Sequence, residues 1–350
     1  MLRAALAITL VAGVAFLTNA YLFPQQPASS SSQTIRADVD LVSISFAVRD
    51  GRGRLIPKLE KNDFRVFEDG REQPIKFFAH HTDVPLNIGV LLDTSTSITP
   101  LLETEANAAS YFLRSVMRPA DQGFAVSYNA RVEILQLSTD DVDLLAKKTN
   151  TILRYGKYDR APAPFTPPVI FRGPQTSRWP IPGQTGPDPD LRIAKLYDAV
   201  LLSVDRFLAR EVGRKAMLIL ALADDAKSEA SLEQALRALK RSETIAYVVE
   251  VEHAPRARRD DCDILHVFHD DVKLRIGRLA EETGGRVIRV KGFDKLQKAF
   301  EEIAEELHNQ YSLGYTPPNP KWDGAFHRIE IRARPRDYRV YARDGYYAVR

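Results

Sequence analysis

Asp93-Thr94-Ser95-Thr96-Ser97 sets one carboxylate and two hydroxyls at alternate positions of five residues, directly after the apolar run Leu86 to Leu92. Hard divalent cations prefer oxygen ligands, and Mg²⁺ takes few protein groups while keeping several waters. A strand that ends in Asp93, Ser95 and Ser97 is therefore a candidate site for Mg²⁺ or Mn²⁺. The competing reading is structural: the two serines cap the next helix, and Asp93 accepts backbone N–H groups. Other loops must decide between these readings, because one carboxylate and two neutral hydroxyls make a weak ligand set.

The remaining candidates for chemistry are poorer. His266-Val267-Phe268-His269, close to Cys262, has metal-compatible residue types, but H-x-x-H is not a zinc spacing and no second cluster accompanies it. It reads as a loop before a helix, and His80-His81 reads as a linker. Cys262 lies between Asp261 and Asp263, whose charges disfavour a thiolate, and as the single cysteine it has no intrachain partner. Thr283-Gly284-Gly285 reads as a helix stop. Neither a phosphate-binding glycine loop after a strand nor a G-x-S-x-G elbow occurs.

The elements that must position the Asp93 loop alternate between strand and helix. Strands are expected at Leu86–Leu92, Gly123–Tyr128, Val132–Leu137, Ala216–Leu222, Ile245–Val251 and Arg286–Val290. Helices are expected at Leu101–Met117, Asp141–Leu153, Ala194–Ala209, Leu232–Arg241, Val272–Glu282 and Asp294–Asn309. In the last, Leu296, Phe300, Ile303 and Leu307 recur at helical spacing, with Glu301, Glu302, Glu305 and Glu306 expected outside. Apolar strands alternating with helices predict an α/β, Rossmann-like, doubly wound and mostly parallel sheet. Such sheets bind ligands outside the carboxyl ends of their strands, which is where Asp93 falls.

Both ends of the chain read differently. Residues 39–48 alternate, Asp50-Gly51-Arg52-Gly53 and Asp69-Gly70 are turn signals, and residues 63–68 and Ile75 to Phe78 read as strands. Ile329 and Ile331, then Tyr338 to Tyr341, supply further strands before a turn at Asp344-Gly345. The two ends are expected to meet in one small antiparallel β-sandwich. At the N-terminus, Arg3, the apolar run Ala4 to Leu17 and Thr18-Asn19-Ala20 have the layout of an export signal. Extended through Phe23, the same stretch reaches the roughly 20 residues that span a bilayer. A cleaved signal and a single uncleaved membrane anchor are thus both open, and either exports the chain to the periplasm, cell envelope or exterior. The division expected is 1–23 signal or anchor, 24–35 spacer, 36–82 N-terminal β segment, 85–315 α/β domain and 326–350 C-terminal β segment.

The 350 residues are 44% hydrophobic and 27% charged, with a net charge of +3 and no long block of one sign, which gives a nucleic-acid partner no support. Nine prolines with Phe165, Phe171 and Trp179 mark an insertion at 155–190. Proline density there predicts loop or polyproline II. It reads either as a partner-binding flap or as a plain surface loop.

The chain resembles proteins related to the von Willebrand factor type A domain, in particular an exported subgroup first described in acidobacteria. The resemblance rests on Asp63 to Gly70, Pro85 to Ser97, Leu196-Tyr197-Asp198-Ala199, Arg214-Lys215-Ala216, Leu279 to Gly285, Gln310 to Tyr315 and Gly345-Tyr346-Tyr347, in that order. It implies an A domain beside a small β domain, and a metal-ion-dependent adhesion site built from three loops. Asp93, Ser95 and Ser97 match the first loop. The threonine of the second loop falls on Ala194, and the aspartate of the third falls on Leu222. Asp224 could replace that aspartate if its loop bulges, and Thr185 could replace the threonine if the insertion folds back; Asp225 matches a different family aspartate. The site is thus expected to bind Mg²⁺ or Mn²⁺ weakly, or to be metal-free. The function implied is a non-enzymatic protein-binding, adhesion-like module. The alternatives are a membrane-anchored assembly factor working with a partner ATPase and, less in keeping with the residues, a metal-dependent hydrolase. A hydrolase with Asp93 as nucleophile needs a second acid two residues on, where Ser95 stands.

Overall fold

The computed structural model describes residues 41–80, 84–95, 102–153, 194–221, 228–252, 275–291, 295–317 and 323–348. The N-terminal export or anchor segment, the 155–190 insertion, Ser97, Leu222, Asp224 and the His266–His269 stretch lie outside them. Among the described residues, no helix is long and apolar enough to cross a membrane.

The chain opens with β1 (Val42–Arg49), β2 (Phe64–Glu68), β3 (Arg71–Gln73) and β4 (Phe77–His80). The α/β part follows with β5 (Leu86–Asp93), α1 (Leu102–Val116), β6 (Gln122–Tyr128), β7 (Val132–Thr139), α2 (Val142–Thr149), α3 (Leu196–Ser203), β8 (Arg214–Ala221), α4 (Leu232–Arg241) and β9 (Thr244–Glu252). A helix at residues 275–281, α5, precedes β10 (Val287–Lys291) and α6 (Leu296–His308). The chain closes with β11 (Tyr311–Tyr315), β12 (Phe326–Ala333), β13 (Arg339–Ala342) and β14 (Gly345–Tyr347).

Six strands form the expected doubly wound sheet in the order β10-β9-β8-β5-β6-β7. All neighbours are parallel except the β6–β7 edge pair. Every residue of β5 is buried, as a central strand covered on both faces requires. Leu86, Ile88, Val90 and Leu92 face α1, α2 and α6, while Leu91 joins Phe124 and Met217 against α3, α4 and α5. Gly89 completes that second face: a Cβ there would meet the Phe124 ring at 2.3 Å, so the aromatic ring fills the space that glycine leaves.

The ends of the chain do meet in a sandwich, with sheets β13-β1-β11-β4 and β14-β12-β2-β3. Its core takes Val42, Ile44, Phe46 and Val48 from one face of β1, together with Phe64, Val66, Tyr311, Leu313, Tyr315, Ile329 and Ile331. Phe46 meets Phe64 edge-on at 5.1 Å. Tyr311 stacks on Phe46 at 5.4 Å, and its hydroxyl donates to Ile56 O at 2.5 Å.

Five sequence expectations need correction. Tyr311–Tyr315, counted with the α/β domain, is hydrogen-bonded between β1 and β4 as an inner strand of the sandwich. Gly345, expected in a turn, begins β14, where it pairs with Arg328. The strand expected at Ile75 to Phe78 forms later, at Phe77–His80. The helix expected at Ala194–Ala209 begins at Leu196 and finishes as a π-helix over Val204–Leu208. Glu306, expected on the solvent face of α6, is fully buried, because Arg49 and Arg286 both donate to its Oε2.

Candidate metal centre at the head of the central strand

The chain runs from β5 through α1 to β6 on one side, whereas β8 pairs with β5 on the other. The winding direction therefore reverses between β5 and β8, the position where open α/β sheets form their ligand crevice. Asp93 is the last residue of β5 and is fully buried.

The Asp93 loop is fastened to its neighbours by backbone and amide hydrogen bonds. Asp93 Oδ1 accepts from Ser95 N–H at 2.8 Å. Thr94 N–H donates to Tyr128 O at 2.9 Å, and Asn129 Nδ2 donates to Thr94 Oγ1 at 3.1 Å. Asn129 O in turn accepts from Lys195 N–H at 2.9 Å. One ladder of contacts thus links the ends of β5 and β6 to the segment entering α3.

That segment is locked to a third loop. Lys195, which precedes α3, gives the helix no side-chain cap. Ser228 supplies one from outside, its Oγ accepting from Tyr197 and Asp198 N–H at 3.1 and 3.2 Å. Asp198 returns the contact, accepting from Ala230 N–H at 2.8 Å. Three loops therefore converge here: the Asp93 loop, the Ala194–Lys195 entry and the segment that follows β8.

Ser95 is also fully buried, and its Oγ has no hydrogen-bond partner among the described residues. No cap from this serine to α1 is seen among the described residues. Ala194, on which the sequence reading sets the second-loop threonine, is fully buried in the apolar cluster, and its side chain carries no oxygen.

The residue the sequence reading overlooked is Glu105, one turn into α1. It is fully buried beside Asp93, whose backbone N–H faces its carboxyl, and no side chain among the described residues bonds it. Burial pushes its carboxyl well above the ordinary 4.5, and the charge of Asp93 pushes it the same way. A signal was present in the sequence: Leu102, Ala106, Ala109, Phe112, Leu113 and Val116 form the buried stripe of α1, and Glu105 falls on it. Two carboxyl groups and a hydroxyl thus stand buried at the switch point.

No protein-family model matches the chain, and no curated protein matches it by sequence. Similar solved structures include proximal thread matrix protein 1 from the mussel byssus, at 13% identity and a TM-score of 0.45, covering 69% of this chain and 51% of that one. The chain thus spans about half the length of the mussel protein. Another is a von Willebrand factor type A protein from Catenulispora acidiphila, at 9% identity and a TM-score of 0.43, covering 85% of this chain and 71% of that one. A third is an aerotolerance-related membrane protein from Bacteroides fragilis, at 15% identity and a TM-score of 0.37, covering 63% and 98%.

Proposed function

We propose that the chain is a non-enzymatic, exported protein-binding module of the cell envelope. Its α/β domain contacts a protein partner at the carboxyl end of β5 through a degenerate cation site. The observation that carries this reading is the burial of Asp93, Ser95 and Glu105 together at the switch point, with Ser95 Oγ lacking a hydrogen-bond partner among the described residues. Buried polar atoms are ordinarily paired, and a bound ion is one of the things that accounts for an exception.

The donor set fits a hard divalent ion in part. Asp93 and Ser95 would hold it, with Ser97 from the same loop, and Glu105 adds a second carboxyl, which the ion's charge would favour in its ionised form, where the sequence reading sets Leu222. Asp224 is the other proposed source of that carboxylate. Mg²⁺ or Mn²⁺, when bound, would supply a positive charge with an open position for an acidic side chain of the partner. With Ala194 in place of a hydroxyl residue, binding should be weak.

The test is capture from envelope extract by the wild type and by Asp93→Ala, each in Mn²⁺ and in chelator. The reading expects one set of proteins held by the wild type in Mn²⁺ and released by either change. An identical set held by Asp93→Ala would contradict it.

A further inference from the structure

A second group of metal-compatible side chains lies in the sandwich, formed by residues more than 250 positions apart. Glu68 ends β2, Asp69 begins the turn to β3, and His327 lies on β12. One ligand atom from each lies within 4.8 Å of the other two. His327 Nδ1 is 2.8 Å from Asp69 Oδ2 and 3.8 Å from Glu68 Oε1.

The backbone fixes the two carboxylates in advance. Asp69 and Gly70 both adopt positive φ, +47° and +79°, as a two-residue hairpin turn of the I′ type requires. Asp69 N–H donates to Arg328 O, and Arg328 N–H donates to Asp69 Oδ1, each at 2.9 Å, so the turn is clamped onto β12. Its second oxygen is left to point at His327. Strand-borne ligands on a clamped turn are positioned more rigidly than ligands on a free loop.

Glu68 is the more telling member. Its side chain is 10% exposed, so the carboxylate is largely removed from water. Tyr315 OH donates to Oε2 at 2.5 Å, and Tyr346 OH lies 3.4 Å from the same oxygen. Burial, with the Glu68 charge beside them, raises both phenols above their ordinary value, so they remain neutral donors. Oε1 makes no hydrogen bond among the described residues and faces the imidazole. Tyr346 also stacks on the His327 ring at 5.4 Å, which fixes the plane of the imidazole. Groups that hold ligand atoms in this way are what metal sites use to orient their first ring of ligands.

Charge and distance favour an ion over a bare His–Asp pair. His327 bonds Asp69, while Glu68 Oε1 is left 3.8 Å from the imidazole without a hydrogen bond among the described residues. A divalent ion would be shared by both carboxylates and the imidazole. Zinc bonds of about 2.0–2.2 Å at tetrahedral angles set neighbouring ligand atoms about 3.4 Å apart. The observed 2.8 and 3.8 Å lie on either side of that spacing, and the two carboxylate oxygens lie within 4.8 Å of each other, so small side-chain shifts bring the three atoms toward one centre. An imidazole with two carboxylates suits zinc or a similar transition ion, whereas magnesium and calcium favour oxygen alone.

We propose that Glu68, Asp69 and His327 bind a zinc-like divalent transition ion at the end of the β2–β3 hairpin, with a fourth position open to water or to an external carboxylate. This site is separate from the Asp93 loop and does not depend on the reading given to that loop.

The test is titration of the full chain with zinc chloride against a competing chromophoric chelator. The arms are wild type, Asp93→Ala, His327→Ala and Asp69→Asn. Asparagine tolerates the positive φ of the turn and removes only the charge, so Asp69→Asn stands in if His327→Ala alters the fold, as judged by circular dichroism. The wild type and Asp93→Ala should bind one zinc ion with affinities within about twofold, and the other two variants should each lose about tenfold or more. A wild type that takes no zinc, binding lost in Asp93→Ala, or wild-type affinity in both sandwich variants would each overturn the proposal.

Discussion

Arg49 on β1 donates from Nε and Nη2 to Glu306 Oε2 on α6, at 3.0 and 2.6 Å, across 257 residues of sequence. The carboxylate is fully buried and the guanidinium nearly so. Arg286 adds a third contact at 2.9 Å. The sandwich is thus fastened to the α/β sheet by a buried charge cluster. Removing one partner of such a pair leaves a charge uncompensated, which is costly, whereas replacing both with apolar groups costs little. Arg49→Ala should lower unfolding stability in urea by about 3 kcal/mol, and Arg49→Met with Glu306→Met by less than either single change. A cost for the pair equal to the sum of the single costs would show that the contact contributes nothing beyond packing.

The sandwich needs its C-terminal strands. β12 lies between β14 and β2, and its Ile329 and Ile331 enter the core. Truncation before Phe326 should expose Phe64 and Val66 and increase binding of a hydrophobic dye. Amide exchange in β2 should accelerate, while β5 and β8 stay protected. Unchanged exchange in β2 would contradict the pairing.

Lys240 on α4 reaches Glu282 at 2.6 Å and Asp344 at 3.0 Å, tying the α/β domain to the last strands. Burial pushes the Glu282 carboxyl up, but Lys240 and Arg278 together outweigh it, and the net shift is below the ordinary 4.5. A lowered folded value means this contribution is fully present above 4.5 and is lost as pH falls through that folded value. The thermal midpoint of the wild type should therefore drop below pH 4.5 more steeply than that of Glu282→Gln, measured by circular dichroism. Parallel curves would remove Glu282 from the account.

Glu105 should show opposing effects on stability and binding. Burying a carboxyl that no side chain bonds costs about 1–3 kcal/mol. Glu105→Leu should raise the urea midpoint in chelator and weaken Mn²⁺ binding by about tenfold. A gain in stability with unchanged Mn²⁺ affinity would assign Glu105 to the core alone.

The α/β sheet was legible because its signal is local. A short run such as Leu86 to Leu92, apolar but for Asn87, suits a strand buried on both faces, and the helices between the strands carry clear stripes. β3 and β14, three residues each, are too short to show any alternation. Tyr311–Tyr315 has the right alternation, but periodicity does not say which sheet a strand joins. Glu306 and Glu105 were misplaced or overlooked for one reason: a helical pattern assigns charge to solvent, and only tertiary contacts place it inside. Asp69-Gly70 was legible as a turn, while its partner His327 is brought beside it by the pairing of β2 with β12. Of the first-loop residues, Asp93 and Ser95 stand where the sequence put them, at the head of the central strand.

The central claim is a weak cation site at Asp93, and calorimetric titration of Mn²⁺ into the full chain tests it most directly. The chain should carry His327→Ala, which silences the sandwich group, and be compared with the same chain bearing Asp93→Ala. The account predicts saturable binding with a Kd of about 0.1–1 mM that is lost in the Asp93 variant. Superimposable traces for the two proteins would contradict it.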